Sequence, residues 1–439
     1  MPFASFFTLG CRLNQTESAI MAKSLEALDY VITENKTNSD VCVINTCTVT
    51  NQSDSKCRQA IRSIRKNNPT AILAVVGCFS QISSKIIKEI GGVDIVLGNE
   101  EKLNLKHYLE IFLKDSRPII AVGSISKNAF TIDTIGQHLG STRANLKVQD
   151  GCDFVCSYCI IPKARGRSRS REVDNIKQEA RQLAAIGVKE IILTGVNIGT
   201  YQYLDYDIIK LLDIFESISG IQRVRISSIE PTTIGKDVFE LMKNPDHKLV
   251  PYLHLPLQSG SNAILKAMRR RYEIQKFEDY VLSAADQVPD ICIGSDVIVG
   301  FPGETDALFE ETLNILEKLP IHYFHVFPYA ERAGTKSVCL PEKINSKTAN
   351  RRASVLRILS DQKRTRFAEE FVGRELEVLF EGSNKGNIWK GYTGNYIRVS
   401  AESQLSLKNE IRLVKIISAE NGQAQGKLVI KSDFDHMGS

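Results

Sequence analysis

Cysteine is the residue type in this chain whose spacing could carry the most distinctive chemistry. The 439 residues include ten cysteines, at positions 11, 42, 47, 57, 78, 152, 156, 159, 292 and 339. Cys152, Cys156 and Cys159 form a C-x-x-x-C-x-x-C pattern in the segment GCDFVCSYC. Random placement of this many cysteines gives about 0.005 such matches, so the spacing indicates a set of metal ligands.

Two metal centres compete for this loop. A structural zinc site usually has four ligands, often arranged in two C-x-x-C pairs. The loop offers three cysteines and contains no histidine. Three thiolates can hold three irons of a 4Fe-4S cluster and leave the fourth iron open to another ligand. The pattern therefore favours an iron–sulfur cluster with one reactive iron over zinc.

A second set of cysteines is dispersed along the first 80 residues. Cys11, Cys47 and Cys78 each follow one of the apolar segments SFFTLG, VCVINT and AILAVVG, which read as strands. The carboxyl ends of parallel strands share one edge of a sheet, where ligands usually bind. We therefore predict a second cluster, the alternative being three small buried side chains. The other cysteines are expected to be bystanders: Cys42, Cys57, Cys292 and Cys339.

The composition limits the class of protein. Hydrophobic residues make up 43% of the chain and charged residues 24%, which excludes a disordered, collagen-like or disulfide-scaffold protein. Neither a membrane-spanning run nor a secretory signal is recognisable, so we expect a cytoplasmic protein with no membrane partner. The net charge of +5 permits a polyanionic partner without requiring one.

Three regions are expected to position these residues. Residues 1–135 alternate strand and helix patterns, which predicts an α/β domain with a parallel sheet. Residues 141–370 contain six strand–helix units and end in a basic connector. That segment is too short for a closed eight-unit barrel, so we predict an open, partial (βα)6 barrel. Residues 371–433 change to short strands and turns, which predicts a small antiparallel β-barrel. Trp389, Tyr392 and Tyr396 could stack on RNA bases there, or pack within an ordinary barrel.

The order of these parts is similar to that of a known family. CDFVCSYC resembles the cluster motif of radical S-adenosylmethionine enzymes, and the whole chain resembles the methylthiotransferases among them. Further matching segments are TLGCRLNQTES, INTCTVT, GCFSQ, CIIPKARGRSRSR, LTGVNIG, HLPLQSGS, DVIVGFPGET and FPYAERAGT. The terminal barrel resembles a TRAM domain, an RNA-binding module.

The resemblance implies two 4Fe-4S clusters, S-adenosylmethionine and an external one-electron reductant; it does not specify the sulfur donor. The open iron of the loop cluster would bind S-adenosylmethionine, whose reductive cleavage gives a 5′-deoxyadenosyl radical. The open iron on the dispersed triad would carry the added sulfur. The radical would remove hydrogen from C2 of an adenine. That carbon has no acidic proton, so acid–base catalysis could not activate it.

The resemblance also implies which side chains meet the cofactor: Tyr158, Gly195, Asn197, Ser228, Glu230 and Gln258. Tyr158 would meet the adenine or shield the cluster. Gly195 would permit close backbone approach, and Asn197 would bond the methionine amine, unless LTGVNIG is a plain turn. Ser228 and Glu230 would bind the carboxylate or ribose, or only end their strand. His254 is expected to be structural, and no side chain beyond the cluster ligands is predicted to be catalytic.

Basic residues just after the cysteine loop are candidates for RNA phosphate contacts: Lys163, Arg165, Arg167, Arg169 and Arg171. Such a run is otherwise a solvated face. The segment Arg269–Arg271 is a second candidate for the same role.

The expected partner is the anticodon loop of tRNA. GCRLNQTES and INTCTVTNQSDSKCRQAIR are most similar to the branch acting on N6-threonylcarbamoyladenosine at tRNA position 37. The alternatives are N6-isopentenyladenosine at that position, an aspartate of a ribosomal protein, or an iron–sulfur protein without catalysis.

Overall fold

The computed structural model describes residues 1–34, 37–133, 142–383 and 386–429. The predicted boundary between the first two domains, at 135 to 141, and the predicted end of the barrel at 433 lie outside the described residues. No helix among the described residues is both long and apolar enough to cross a membrane.

The N-terminal region is a six-stranded sheet in which every neighbouring pair of strands is parallel. Its strands, in chain order, are β1 (Phe3–Thr8), β2 (Val31–Thr33), β3 (Val41–Thr46), β4 (Ile72–Gly77), β5 (Ile95–Leu97) and β6 (Ile119–Ala121). Their spatial order is β2-β1-β3-β4-β5-β6. The helices are α1 (Arg12–Glu26), α2 (Asn51–Asn67), α3 (Cys78–Ile90) and α4 (Leu105–Asp115). The predicted parallel α/β sheet is confirmed.

The core of this region lies on both faces of the sheet. Along β3, Val41 and Val43 pack into the cluster on one face, while Cys42 and Ile44 pack into the other. The whole of β3 is buried, which explains its continuous apolar sequence. Strands β2 and β6 have only three residues each at the two edges, too few for a periodic pattern to reveal them.

The central region contains two ladders, each of three parallel strands. Its six main strands are β7 (Arg143–Lys147), β10 (Glu190–Thr194), β11 (Arg223–Ile226), β12 (Tyr252–His254), β13 (Cys292–Val299) and β14 (Tyr323–Pro328). The spatial orders are β11-β10-β7 and β12-β13-β14. Parallel bridges from Val224 to Leu249 and from Ser228 to His254 join the two ladders. The result confirms the predicted open barrel of six strands.

The helices of the central region include α5 (Ile161–Arg165), α6 (Val173–Ala185), α7 (Ile208–Ile214), α8 (Asp237–Lys243), α9 (Asn262–Ala267), α10 (Ile274–Gln287) and α11 (Asp306–Lys318). The segment NLKVQD has the sequence pattern of one strand but forms two. Strand β7 ends at Lys147, and β8 (Gln149–Asp150) pairs instead with β9 (Arg169–Ser170). This short antiparallel ladder closes the base of the cysteine loop.

A 24-residue helix, α12 (Ser346–Glu369), connects the central region to the terminal barrel. The barrel strands are β15 (Glu375–Ser383), β16 (Ile388–Thr393), β17 (Arg398–Glu402), β18 (Ile411–Glu420) and β19 (Gln423–Leu428). They close in the order β15-β16-β17-β19-β18. Four pairings are antiparallel and one, β17 with β19, is parallel. A closed ring of five strands cannot alternate direction throughout, so one parallel pair is unavoidable.

Candidate functional site

The dispersed cysteines follow three adjacent strands of the N-terminal sheet. Cys11 is the N-cap residue of α1, Cys47 directly follows β3, and Cys78 is the first residue of α3. Burial raises the pKa of the Cys47 thiol, and the neighbouring thiols of Cys78 and Cys11 raise it further. The parallel topology therefore brings the three side chains together.

Glycine allows this convergence. Gly10 has a φ of +105°, and a Cβ placed on it would lie 2.7 Å from Cys47 Cβ and 3.0 Å from Cys47 Sγ. Any larger residue would collide with Cys47, a predicted ligand, in a backbone conformation that favours glycine. Asn99 meets the third cysteine, with its Nδ2 atom 3.5 Å from Cys78 Sγ. Cys57, by contrast, donates its thiol to Cys47 O and packs in the core, as expected of a bystander.

The second triad lies in the loop between β8 and α5. The Cys152 N–H donates to Gly166 O at 3.1 Å, and the Cys159 N–H donates to Cys156 O at 3.1 Å, so the loop is a closed, ordered turn. Burial raises the pKa of Cys152 to about 11 and that of Cys159 to about 12, and the neighbouring thiols act in the same direction. Metal binding would have to displace these protons, because thiolate is the ligating form.

Both triads offer the ligand type of an iron–sulfur cluster, because each consists of cysteines alone. Within the described ranges, no group of three His, Cys, Asp or Glu side chains is arranged to hold one metal ion. A 4Fe-4S cluster has a different requirement, because each of three irons takes its own thiolate. Each triad supplies three neighbouring thiols and so matches a cluster with one iron free for another ligand.

The predicted cofactor-contacting residues surround the strand ends of the central region. Gly195 packs closely against Gln149, whose Oε1 atom would lie 2.8 Å from a Cβ at that position. The same oxygen accepts hydrogen bonds from the N–H groups of Val196 and Asn197 at 2.8 and 2.9 Å. The buried Asn197 has an amide Nδ2 without a hydrogen-bond partner among the described residues. This unpaired donor is consistent with a polar ligand.

Ser228 and Glu230 follow β11, on the side of the central region facing β12. Ser228 lines a large cavity, whereas the carboxylate of Glu230 pairs with Arg270. Burial raises the pKa of Glu230, although Arg270 opposes that effect. Arg270 also places its Nη1 atom 3.6 Å from Cys156 Sγ. The ion pair between Arg270 and Glu230 therefore lies beside the loop triad. The basic sequence of Arg269–Arg271 does not predict this pairing.

Tyr158 and Gln258 occupy different settings. The Tyr158 ring lies edge-on to Phe301, with ring centroids 6.2 Å apart, and burial raises its pKa. Gln258 has a φ of +70°, and its backbone bonds to β13 through Asp296 O and the Ile298 N–H. Neither residue lines the large cavity. Their contact with a cofactor stays a prediction.

The structure corrects the expected RNA contacts of three arginines. Arg165 is 2% exposed, Arg171 1% and Arg169 8%. Arg165 pairs with Glu17 and Asp150, Arg171 with Glu179, and Arg169 with Glu100. Guanidiniums enclosed by internal carboxylates are not free to contact a phosphate on an RNA surface. Among the five predicted positions, Lys163 and Arg167 are exposed, and their contact with RNA stays a prediction.

The buried arginine Arg165 belongs to an ion network at the junction of the two cysteine regions. Glu17 of α1 accepts from Lys102 Nζ at 2.5 Å, from Lys147 Nζ at 2.8 Å and from Arg165 at 2.9 Å. Burial alone would raise the pKa of Glu17, but Arg165, Lys102 and Lys147 together hold it well below its usual range. The network joins residues from 17 to 165, so no local pattern could predict it.

A cavity of about 630 Å³ connects the regions. Its wall includes Cys11 and Arg12 from the N-terminal region and Gly195, Ser228 and Asp296 from the central one. It also includes residues of α12 and the barrel: Arg364, Phe367, Ala368, Tyr392, Tyr396, Ile397, Arg398, Asn421, Gly422 and Gln423. This volume is within the range typical of small-molecule sites.

Aromatic and arginine side chains enclose the barrel side of this cavity. Tyr396 stacks on Tyr392, with ring centroids 5.0 Å apart, and its hydroxyl accepts a hydrogen bond from Arg12 at 2.8 Å. Burial opposes ionisation of Tyr396, yet Arg12, Arg143 and Arg225 lower its pKa. The predicted base-stacking residues Tyr392 and Tyr396 thus line the cavity, whereas Trp389 packs against the core of the barrel.

Two family models match the chain. Residues 146–316 match the radical SAM superfamily, and residues 4–98 match a family described as uncharacterized protein family UPF0004. Among solved structures, a radical S-adenosylmethionine methyltransferase, TsrM from Kitasatospora setae, aligns with a TM-score of 0.56 and 12% identity. It covers 74% of this chain and 73% of that one. That likeness concerns the fold alone.

Curated relatives match over nearly the full length. The threonylcarbamoyladenosine tRNA methylthiotransferase of Bacillus subtilis is 37% identical over 98% of this chain and 97% of its own. The enzyme of the same description from Aquifex aeolicus is 35% identical over 93% and 99%. A tRNA-2-methylthio-N(6)-dimethylallyladenosine synthase from Clostridium botulinum is 32% identical over 96% and 95%.

Proposed function

Because the chain belongs to the radical S-adenosylmethionine methylthiotransferase family, we propose that it inserts a methylthio group into N6-threonylcarbamoyladenosine of tRNA. The expected target is C2 of adenosine 37. The observation that carries this proposal is the 37% identity, over 98% of the chain, to a relative described as acting on that nucleoside. Membership of the family implies a 4Fe-4S cluster and S-adenosylmethionine.

We assign the first cluster to Cys152, Cys156 and Cys159 and a second to Cys11, Cys47 and Cys78. When bound, the first cluster and S-adenosylmethionine supply a radical that removes hydrogen from carbon, and the second cluster carries the sulfur. The protein's part is to hold these groups and the adenine in register and to exclude water.

The cavity between the regions is a suitable place for the adenine. Cys11 of the second triad lines it together with Gly195 and Ser228, which follow strands of the central region. The cavity therefore adjoins both the proposed sulfur site and the proposed cofactor site. Tyr392 and Tyr396 in its wall offer rings on which a base could stack.

Surface contacts to RNA phosphates are assigned to Lys163 and Arg167. Both follow the cysteine loop, and the side chain of Arg167 is 57% exposed. Phosphate contacts position RNA without reading its sequence, and their affinity falls as salt rises. An affinity of the enzyme for tRNA that does not depend on salt would contradict this assignment.

The test supplies the anaerobically reconstituted enzyme, S-adenosylmethionine, a sulfide source and a reductant with matched anticodon stem-loops. Position 37 would carry threonylcarbamoyladenosine, isopentenyladenosine or adenosine. Nucleoside mass spectrometry should find the methylthio product only in the first RNA. A product only in the second would favour the activity named for the C. botulinum relative. A parallel reaction supplies ribosomal protein in place of RNA. Product in none of the three RNAs, with modification of an aspartate in that protein, would overturn both tRNA assignments.

A further inference from the structure

Arg364 of α12 brings a positive charge to the cavity that no carboxylate of the described residues neutralises. The residue lines the cavity, and its guanidinium carbon lies 4.8 Å from the ring centroid of Tyr323. Within the described part of the chain, its side chain makes no ion pair or hydrogen bond; its neighbours include the Tyr323 ring and Gly422, with His325 and Cys292 also close enough to feel its charge. A partly buried cation held only against an aromatic ring is ready to receive an anion.

Three other arginines nearby are already engaged, whereas Arg398, which also lines the cavity, is exposed on the barrel. Arg12 donates to the Tyr396 hydroxyl, and Arg225 pairs with Glu190 at 2.8 Å. Arg165 is held by Glu17 and Asp150. Arg364 therefore differs from these three arginines, because its guanidinium has no hydrogen-bond acceptor among the described residues.

The balance of charge in the cavity wall points the same way. Four arginines line it, at positions 12, 165, 364 and 398. Asp296 is the one carboxylate among the described lining residues, and it lies 3.1 Å from His254 Nε2. Even with Arg165 neutralised by its own carboxylates, cations exceed anions along this wall. An anionic ligand would restore the balance.

The terminal barrel holds Arg364 in place. A Cβ at Gly422, which has a φ of +70°, would lie 2.5 Å from Arg364 Cδ and 2.8 Å from its Cγ. The Gly422 N–H also donates to Thr365 Oγ1 at 2.9 Å. The turn between β18 and β19 thus packs directly on the stem of the arginine. A guanidinium positioned in advance loses less conformational entropy when it binds.

We propose that Arg364 is a specificity-determining residue that binds the carboxylate of the threonylcarbamoyl substituent. This inference rests on the proposed function. A guanidinium matches a carboxylate with two parallel hydrogen bonds. An isopentenyl group has no charge and cannot compensate the desolvation of the arginine, so Arg364 would also act against that nucleoside.

Three anticodon stem-loops test the proposal. They are identical except at position 37, which carries threonylcarbamoyladenosine, its neutral methyl ester or adenosine. Each is titrated by fluorescence anisotropy against the reconstituted wild-type enzyme, Arg364→Gln, Arg364→Lys and Arg366→Gln. The last is a matched control, because Arg366 is exposed on the same helix and lies outside the cavity wall. Iron content and thermal unfolding verify that each variant is folded and loaded, and initial rates provide a second readout.

The wild type should bind the acid more tightly than the ester. Arg364→Gln should reduce that preference by roughly 10- to 100-fold, mainly by weakening binding of the acid. Arg364→Lys should keep part of the preference, and Arg366→Gln should keep all of it. An unchanged acid-to-ester ratio in Arg364→Gln would overturn the proposal. Equal weakening for all three RNAs would also overturn it, because that result indicates a phosphate contact.

The outcomes separate this inference from the proposed function. A wild type that methylthiolates threonylcarbamoyladenosine but binds acid and ester equally keeps the proposed function and refutes the role of Arg364. A wild type that accepts only isopentenyladenosine refutes both.

Discussion

The two triads consist of the same residue type, cysteine, but they are brought together in different ways. Cys152 and Cys159 are seven positions apart, whereas Cys11 and Cys78 are 67 apart. A single loop, closed by hydrogen bonds within it and the β8–β9 ladder, forms the first triad. The second exists only because β1, β3 and β4 lie side by side in a parallel sheet. The first is a local structure and the second depends on the whole N-terminal fold.

Their electrostatic surroundings differ as well. Arg270 and Glu230 adjoin the loop triad, and burial raises the pKa of that glutamate. Near the dispersed triad, Asn99 contacts Cys78 and also Lys102, which belongs to the buried ion network. There Glu17 is surrounded by three cations and its pKa is lowered. The pKa values of the two nearby carboxylates therefore shift in opposite directions. Burial raises the pKa of Glu230 near the loop triad, and cations lower the pKa of Glu17 near the dispersed triad.

The largest expected effect separates the two triads by chemistry. Cys156→Ala should abolish both formation of 5′-deoxyadenosine and the methylthio product. Cys47→Ala should abolish only the product and leave cleavage of S-adenosylmethionine. Each variant should lose roughly half of the bound iron. Chromatography of the small molecules, mass spectrometry of the RNA and an iron assay measure these outcomes.

Cys339→Ala is the control for both variants, because Cys339 is exposed and belongs to neither triad. It should retain activity and iron. If folded Cys47→Ala lost cleavage of S-adenosylmethionine as well, the proposed division of labour would be wrong.

The next effect concerns the ion network. Glu17→Gln removes the shared partner of three buried cations, so we expect a loss of about 3–5 kcal/mol in the free energy of unfolding. Denaturant titration of the protein without clusters measures it. Glu26→Gln is the control; its exposed pair with Lys23 should change stability by less than about 1 kcal/mol. Similar losses of unfolding free energy in the two variants would show that the buried network stabilises the fold no more than an exposed ion pair does.

Two glycines allow each triad to be disturbed without changing a cysteine. Gly10→Ala should displace Cys47, whereas Gly151→Ala should open the cysteine loop, because its Cβ would collide with Arg167 O. Each backbone is in a positive-φ conformation, so a destabilisation of about 1–3 kcal/mol is expected. The two triads can then be compared through iron content. A Gly151→Ala variant that loses iron yet still cleaves S-adenosylmethionine would contradict the assignment, because the lost iron would then belong to the dispersed triad.

The smallest effect is a pH dependence. The pKa of Glu17 is lower in the folded protein than its ordinary value of 4.5, so its stabilisation is complete above that value. Stability should fall as the pH drops below about 4.5, by at most about 1.4 kcal/mol per pH unit for this one group. Denaturant titration of the cluster-free protein should therefore show a shallower acid slope for Glu17→Gln. Parallel slopes for wild type and variant would rule out Glu17 as the source.

The sequence predicted the parts of the fold that have local signals. Buried strands such as β3 and β4 are continuous apolar segments, and the cysteines that follow them indicated convergence. The sequence does not predict the edge strands or the β8–β9 ladder, because strands of two or three residues are too short to show a repeating hydrophobic pattern. The basic run KARGRSRSR predicts exposed side chains. In the structure, three of its arginines are buried and pair with carboxylates: Arg165 with Glu17, Arg169 with Glu100 and Arg171 with Glu179. Those partners are between 8 and 148 positions away.

The sequence by itself determined the ligand types and the succession of a parallel sheet, an open barrel and a small closed barrel. These features follow from spacing and periodicity, which act between neighbouring residues. Only the tertiary structure decided which charges are buried and which face the cavity. Arg165 and Arg364 are both arginines in basic segments. Arg165 is neutralised within a network, whereas Arg364 lies over an aromatic ring and has no carboxylate partner in the part of the chain that the structure describes. The free energy of a charge depends on the groups packed around it, and packing joins residues that the chain keeps far apart.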